Sequence, residues 1–436
     1  MGASEQKLSW GQFALFGVGC TIGTGFFLGS SIAIHKSGYF VLPIFLVAAF
    51  ATLFVYEALA QMTAKQPEEG SFRTYAKQAF GRWAGFSIGW VYWSSEMLIM
   101  GSSLTAIGLF SQYWLPDVPL WLFAAVYSVL ALFVVILGSK GINKAENLFA
   151  VVKMAAIVMF IVVAGYGVVS GLGNVHPVKE SIAEWSDGGW LGAWKGLLYA
   201  FYAFSGIEVM GFMAMNLRNP EEAPKAGRIM LLFVTVLYVC SIGLALLFMT
   251  KKQWTPNESP LIIPLTAMEL PLLVHLLNGV LIIAGFSILV ASLYGVSSML
   301  MTLSEDGDAP KWLAKKTKKR QLPLHALFVN SAGLCVSIVL ALWMPKSIFE
   351  HITTAGGLVL LYTWMFVLIT YLKLIKPKFG AQVKTWLAMF LIAAAVFGVL
   401  VEKSGRAGFW VSLLIVILVL LVTLMMNKVW ARQEQA

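Results

Sequence analysis

Gly17-Val18-Gly19-Cys20-Thr21-Ile22-Gly23-Thr24-Gly25-Phe26-Phe27-Leu28-Gly29 lies inside an apolar run from about residue 13 to residue 34. That run is long enough to cross a bilayer. A segment that only had to cross lipid would be rich in Leu, Ile and Val. This one places glycine at 17, 19, 23, 25 and 29 and hydroxyls at 21 and 24. Each glycine lowers helix stability by roughly 1 kcal/mol relative to alanine. Two arrangements suit such a cluster. In one, small residues let neighbouring helices approach closely. In the other, the helix breaks at mid-membrane and frees backbone groups, which is tolerated only where they are buried in protein or line a cavity.

The rest of the chain supplies the membrane setting. It has 436 residues, 59% of them hydrophobic and 12% charged. Soluble domains are about 25% charged, so the composition is that of a polytopic membrane protein. The net charge of +10 is spread over loops and does not indicate a nucleic-acid partner. Cys20, Cys240 and Cys335 sit in apolar runs without metal-ligand spacing and read as packing residues. Residues 1–12 are short and polar and carry no cleavable signal pattern.

Twelve apolar segments can be laid out: 13–34, 41–63, 84–113, 119–138, 147–170, 190–216, 227–250, 274–303, 325–343, 349–373, 384–402 and 407–427. An even number puts both termini on one side. With the N-terminus inside, 22 of the 31 Lys and Arg residues fall in inside segments and 8 outside, with Lys153 within a span. The positive-inside rule therefore predicts cytoplasmic termini. The basic run from Lys311 to Arg320 falls in an inside loop and reads as a topology determinant near anionic lipid.

The sixth segment repeats the signature of the first. Ser205-Gly206 interrupts Leu197 to Phe212 near its middle, and Glu208 follows at once. Interruptions at corresponding positions of two halves point to an inverted-repeat transporter and its binding site. Residues 13–170 and 190–373 would form the two five-span repeats of a core spanning 13–373. Residues 384–427 would be two appended helices and 428–436 a cytoplasmic tail. The expected fold is all-α, with twelve transmembrane helices and a five-plus-five core. Broken helices offer free N–H groups to a carboxylate and free carbonyls to an ammonium. The ligand matched to both is an α-amino acid.

Four blocks in order carry a family resemblance: Thr21-Ile22-Gly23-Thr24-Gly25-Phe26-Phe27; Pro67-Glu68-Glu69-Gly70-Ser71-Phe72-Arg73-Thr74-Tyr75-Ala76; Ser205-Gly206-Ile207-Glu208 with Asn219-Pro220-Glu221-Glu222-Ala223-Pro224-Lys225-Ala226; and Met299 to Pro310. The chain resembles amino-acid permeases of the amino acid–polyamine–organocation superfamily, closest to their bacterial proton-coupled branch. The resemblance implies the inverted-repeat fold of sodium-coupled neurotransmitter-type transporters. It also implies that backbone around Ile22, Gly23, Thr24 and Gly25 contacts the substrate carboxylate. Carbonyls around Cys20, Thr21 and Ile22, and around Phe204, Ser205 and Gly206, would take the amino group. Lys153 matches a lysine that several members carry where relatives bind sodium.

The chain departs from the branch pattern at three places. Span two reads Glu57-Ala58-Leu59-Ala60-Gln61-Met62 where the branch has Arg, Ala-Leu-Gly and Glu-Met. A branch glutamate falls on Ser103, with Glu96 one or two turns earlier. A branch arginine falls on Ser298.

Among the intramembrane charges, Lys153 is alone in an apolar span. A charge there costs about 2.5–3.5 kcal/mol on insertion scales, so it needs a partner or a function. It is expected to exchange the coupling proton, the alternative being a structural lysine bonded to broken-helix carbonyls. Glu96 is a second coupling candidate, among Ser94, Ser95, Ser102 and Ser103; it would set side-chain preference or be a buried packing group. Glu208 would contact substrate, with Ile207 beside it, or accept from nearby N–H groups. Glu57 reads as part of an internal hydrogen-bond network. Phe201, Tyr202 and Phe204 are placed to cover bound substrate. No catalytic triad, metal cluster or phosphate loop is present in the sequence, so the expectation is a non-enzymatic plasma-membrane transporter. It would need no cofactor beyond a coupling proton and would import a neutral or hydrophobic amino acid. An exchanger of the same fold and a non-transporting nutrient sensor are the alternatives.

Overall fold

The computed structural model describes residues 7–68, 70–137, 139–172, 175, 189–248, 255–316, 323–343 and 348–434. Lys179, Lys251, Lys252, Lys318, Lys319, Arg320, Lys346 and His176 lie outside them. Among the described residues the chain is helical, and an isolated bridge between Leu8 and Leu217 is its β-type pairing.

The described residues form seventeen α-helices in order: α1 Trp10–Thr21, α2 Thr24–Phe27, α3 Gly29–Ser37, α4 Val41–Lys65, α5 Phe72–Phe80, α6 Arg82–Gln112, α7 Leu120–Leu137, α8 Ser139–Ser170, α9 Gly189–Tyr202, α10 Ile207–Met213, α11 Ala223–Leu246, α12 Ile262–Ala267, α13 Pro271–Glu305, α14 Leu324–Trp343, α15 Ile348–Ile375, α16 Phe379–Gly398 and α17 Lys403–Glu434. Nine stretches among the described residues are long and apolar enough to cross a membrane. The protein is a multi-pass membrane protein. Helix α6 is 31 residues long but mixes serines, tryptophans and Glu96 into its sequence, which lowers its hydropathy.

Both anticipated interruptions are present. The first apolar run is divided into α1, α2 and α3, with Ile22 and Gly23 extended between the first two. The sixth is divided into α9 and α10, with Ala203 to Gly206 in a turn between them. Local chemistry fixes the ends. Ser9 and Gln12 form a capping box that starts α1. Pro224 and Pro271 stand at the first turns of α11 and α13, where the missing N–H is harmless.

The interrupted elements sit in the middle of the bundle. Helix α1 packs on α8 and α11, α9 packs on α3 and α4, and the long α6 packs on α13 and α15. Phe13, Ile22, Phe26, Phe27, Phe201 and Phe204 are fully buried. Helix α17 instead exposes much of its apolar surface, including Trp410, Leu414, Leu424 and Met425, as a lipid-facing helix would.

The segment boundaries shift at two functionally important places. The fifth segment, expected to begin at 147, begins at Ser139, so Glu146 lies inside the helix rather than in the preceding loop. Lys36, counted among outside loop residues, is the penultimate residue of α3. Its side chain is almost fully buried, bonded to Glu350 at 2.8 Å, Glu402 at 2.5 Å and Ser404 at 3.5 Å.

At the opposite end of the bundle, α5 is tied to the end of α13. Fully buried Arg73 donates to Asp306 at 2.7 Å and Asp308 at 2.8 Å, and Arg82 donates to Asp308 at 2.8 Å. Burial opposes ionisation of Asp306, yet Arg73 and Lys77 beside it hold its carboxyl below the usual carboxylate range.

Candidate functional site

The two breaks meet, and the contact is reciprocal. A Cβ on Gly206 would lie 2.3 Å from the Cys20 carbonyl oxygen. A Cβ on Gly25 would lie 2.7 Å from the Tyr202 carbonyl oxygen. Each break therefore presents a glycine to the other's backbone, where no side chain can swing aside. Gly206 carries a second requirement, because its φ of 103° is in the left-handed region.

A single hydroxyl spans the junction. Tyr238 on α11 donates toward the carbonyls of Thr21 and Ala203, each at 3.2 Å. Its ring stacks on Phe26 with centroids 3.8 Å apart and lies 5.3 Å from that of Phe204. The sequence reading did not single out Tyr238, and an aromatic residue within an apolar span carries no signal that would.

Around the first break, the ladder resumes with Phe26 and Phe27 N–H donating to the Gly23 carbonyl at 3.0 and 2.9 Å. The N–H groups of Gly23, Thr24 and Gly25 precede that ladder. Thr24 hydroxyl and Ser103 hydroxyl are 3.1 Å apart, so Ser103 on α6 is brought to the break. Thr21 hydroxyl bonds back to the Gly17 carbonyl at 2.9 Å. Ile288 fills the space beside Gly23, within 1.8 Å of where a Cβ would stand.

Around the second break, Glu208 is fully engaged. One oxygen accepts from Gly206 N–H at 2.9 Å, and the other accepts from the Trp364 indole N–H. This carboxylate thus caps the first turn of α10. Ile207 starts that helix and is fully buried. Phe201 meets Trp364 edge-on at 6.2 Å. Tyr202 hydroxyl is 2.6 Å from Ser102 hydroxyl.

Between the breaks lies a cavity of about 20 Å³, lined by Cys20, Glu96, Ser205, Gly206, Ile288 and Ser292 among others. A water needs about 10–15 Å³ on this measure, so the space between the breaks holds about one water. Tyr92 and Ser292 flank the Glu96 carboxylate, and its buried Oε2 makes no hydrogen bond among the described residues.

Lys153 is fully buried one layer behind the break. Its Nζ donates to the Gly19 carbonyl and to Ser287 Oγ, both at 2.8 Å. Ser287 in turn donates to Glu146 Oε2 at 2.7 Å. Lys153 is therefore not alone in its span, as the sequence reading had it. Glu146 lies seven residues earlier on the same helix and is 1% exposed. The signal was available, since residues seven apart share a helical face; placing Glu146 in the preceding loop concealed it. Glu57, further out, pairs with Arg228 on α11 at 2.5 Å.

The amino acid permease family model matches residues 12–436. The chain belongs to the amino acid permease family. The permease is 52% identical to the uncharacterized transporter YcgH of Bacillus subtilis over 425 residues, 97% of this chain and 95% of the relative. It is 30% identical to the amino-acid permease AapA of Bacillus subtilis, covering 86% of this chain and 83% of AapA. It is 28% identical to the aromatic amino acid transport protein AroP of Escherichia coli K12, covering 90% and 89%. The family is one of amino-acid transporters, so the permease moves small-molecule substrates of that class.

Proposed function

We propose that the permease imports an α-amino acid with a neutral or hydrophobic side chain across the cell membrane by proton symport. The observation that carries this reading is the meeting of the two helix breaks in front of the buried Lys153. The unwound backbone from Ile22 to Gly25 takes the substrate carboxylate. Carbonyls of Cys20 to Ile22 and of Phe204 to Gly206 take the ammonium. Ser103 and Glu96 from α6, and Phe201, Phe204 and Ile207, border the side chain. Glu208 holds the second break in shape.

The fold in this reading has twelve spans with cytoplasmic termini and two inverted repeats, 13–170 and 190–373. Helices 384–427 are appended to that core. Spans 1, 2, 6 and 7 rock against the remainder to give alternating access. Tyr238 supports that grouping by joining the breaks of spans 1 and 6 to span 7. The lysine ammonium bridges span 1 and span 8 through Gly19 and Ser287. Protonated, it keeps them together; deprotonated, it releases them. The aromatic substrates in the name of the Escherichia coli relative accord with an apolar side-chain site.

Uptake into proteoliposomes tests the proposal. An inward proton gradient is expected to drive accumulation of a labelled neutral amino acid with no amino acid inside. Lys153→Ala is expected to abolish that accumulation while part of the binding is retained. Uptake that requires internal substrate and ignores the proton gradient would instead establish an exchanger.

A further inference from the structure

We propose that Glu146 is the inward proton acceptor for Lys153, reached through the hydroxyl of Ser287. The inference rests on the coupling reading of Lys153 and adds the route by which the proton leaves it.

The geometry supplies a donor, a bridge and an acceptor in line. Lys153 Nζ is 2.8 Å from Ser287 Oγ, and Ser287 Oγ is 2.7 Å from Glu146 Oε2. Both distances lie within the range that general acid–base transfer needs. A lysine and a glutamate kept only to neutralise each other gain most by direct contact. Here a hydroxyl stands between them, and a hydroxyl both accepts and donates. Among the described residues Glu146 Oε1 is buried without a hydrogen bond, which leaves one oxygen of the acceptor uncommitted.

The transfer balances. A proton passes from Lys153 Nζ to Ser287 Oγ as the Ser287 proton passes to Glu146 Oε2. The ammonium becomes an amine, the carboxylate becomes a carboxylic acid, and the serine is regenerated. No electrons move and no co-reactant is needed. Both charges disappear together, so no unpaired ion remains in the interior. The Gly19 carbonyl loses its charged partner in the same event, which loosens α1 from α8.

Direction follows from the helix. Seven residues at 1.5 Å each set the Glu146 Cα roughly 10 Å from the Lys153 Cα along the axis, while the side chains lean together so that one hydroxyl joins Nζ to Oε2. That displacement is toward Ser139, the end of α8 assigned to the cytoplasm. The titratable groups acting on Lys153 are Glu146 on its own helix and Cys20 on α1. The titratable group acting on Glu146 is Lys153, and the Ser287 hydroxyl on α13 donates a hydrogen bond to it. Among the described residues, α7, α11 and α12, which also pack on α8, add no charged group to either.

The test uses full-length protein in proteoliposomes loaded with a fluorescent pH indicator. Substrate-evoked proton entry is measured for the wild type and for Lys153→Gln, Glu146→Gln, Glu146→Asp and Ser287→Ala. Glu146→Gln is expected to lower proton entry by at least about tenfold, as loss of a positioned proton acceptor does, and Glu146→Asp to restore part of it. Ser287→Ala, which removes the bridge alone, is expected to match Glu146→Gln, and it decides the matter if Glu146→Gln does not fold. If Lys153→Gln abolishes proton entry while Glu146→Gln, or Ser287→Ala in its place, keeps it within about twofold of wild type, the relay is overturned and the coupling lysine stands. If Lys153→Gln itself retains proton entry, the coupling reading fails and the relay falls with it.

Discussion

Replacing Gly206 by alanine probes the junction of the two breaks at its tightest point. Two effects add. At φ 103° an L-residue is strained, at about 1–3 kcal/mol for a position of this kind. The new Cβ would also stand 2.3 Å from the Cys20 carbonyl oxygen, where real Cβ contacts stay beyond 3.0 Å. The Cys20 carbonyl or Gly206 must therefore retreat by at least about 0.7 Å. Displacements near 1 Å at a positioned site lower activity by about 10²-fold. The expected result for Gly206→Ala is a lower melting temperature and loss of most substrate-induced stabilisation, measured by thermal unfolding in detergent. Gly165→Ala is the control. Gly165 lies within α8 with nothing inside 4 Å of its Cβ position, so alanine there is expected to stabilise by about 0.4–1 kcal/mol. A Gly206→Ala protein that binds substrate like the wild type would refute the reciprocal contact as a determinant of the site.

Tyr238→Phe keeps the ring stacked on Phe26 but removes the hydroxyl shared by Thr21 and Ala203; a loss of about 1–3 kcal/mol is expected by thermal unfolding, with weaker substrate binding by titration. Glu96→Leu removes the buried Oε2 that has no hydrogen bond; the ranking of amino acids in a competition panel is expected to change, and an unchanged ranking would exclude Glu96 from reading the side chain. Asp306 is held below the ordinary carboxylate range, so the stability it contributes is present above that range and is lost as pH falls through its lowered value. Asp306→Asn is expected to flatten this acid-side loss of melting temperature, discounted because Asp306 is one-third exposed.

Much of the site could be read from the sequence because its backbone requirements leave a mark on residue choice. A glycine is needed at 206 by φ and by contact, and at 25 by contact, and both stood out in otherwise apolar runs. Lys153 stood out because charge in such a run is costly. What remained hidden was tertiary. Nothing local shows that Tyr238 reaches two carbonyls from another helix, or that Ile288 closes over Gly23. Lys36 looked like a loop charge because its partners, Glu350 and Glu402, are more than three hundred residues away. Glu146 is hidden for a different reason: a buried acid lowers hydropathy where the helix has already begun, so the apolar run starts later than α8 does.

The hydroxyl of Tyr238 has a consequence for how such a protein changes over generations. Because one atom is bonded to both breaks, neither can be remodelled alone. A substitution that widens the first break strains the second through position 238. New substrate preferences are therefore expected to arise from paired changes at the two breaks, or from the surrounding α6 face that the hydroxyl does not touch. Sequences in which position 238 loses its hydroxyl are the ones in which the two breaks should be seen to vary independently.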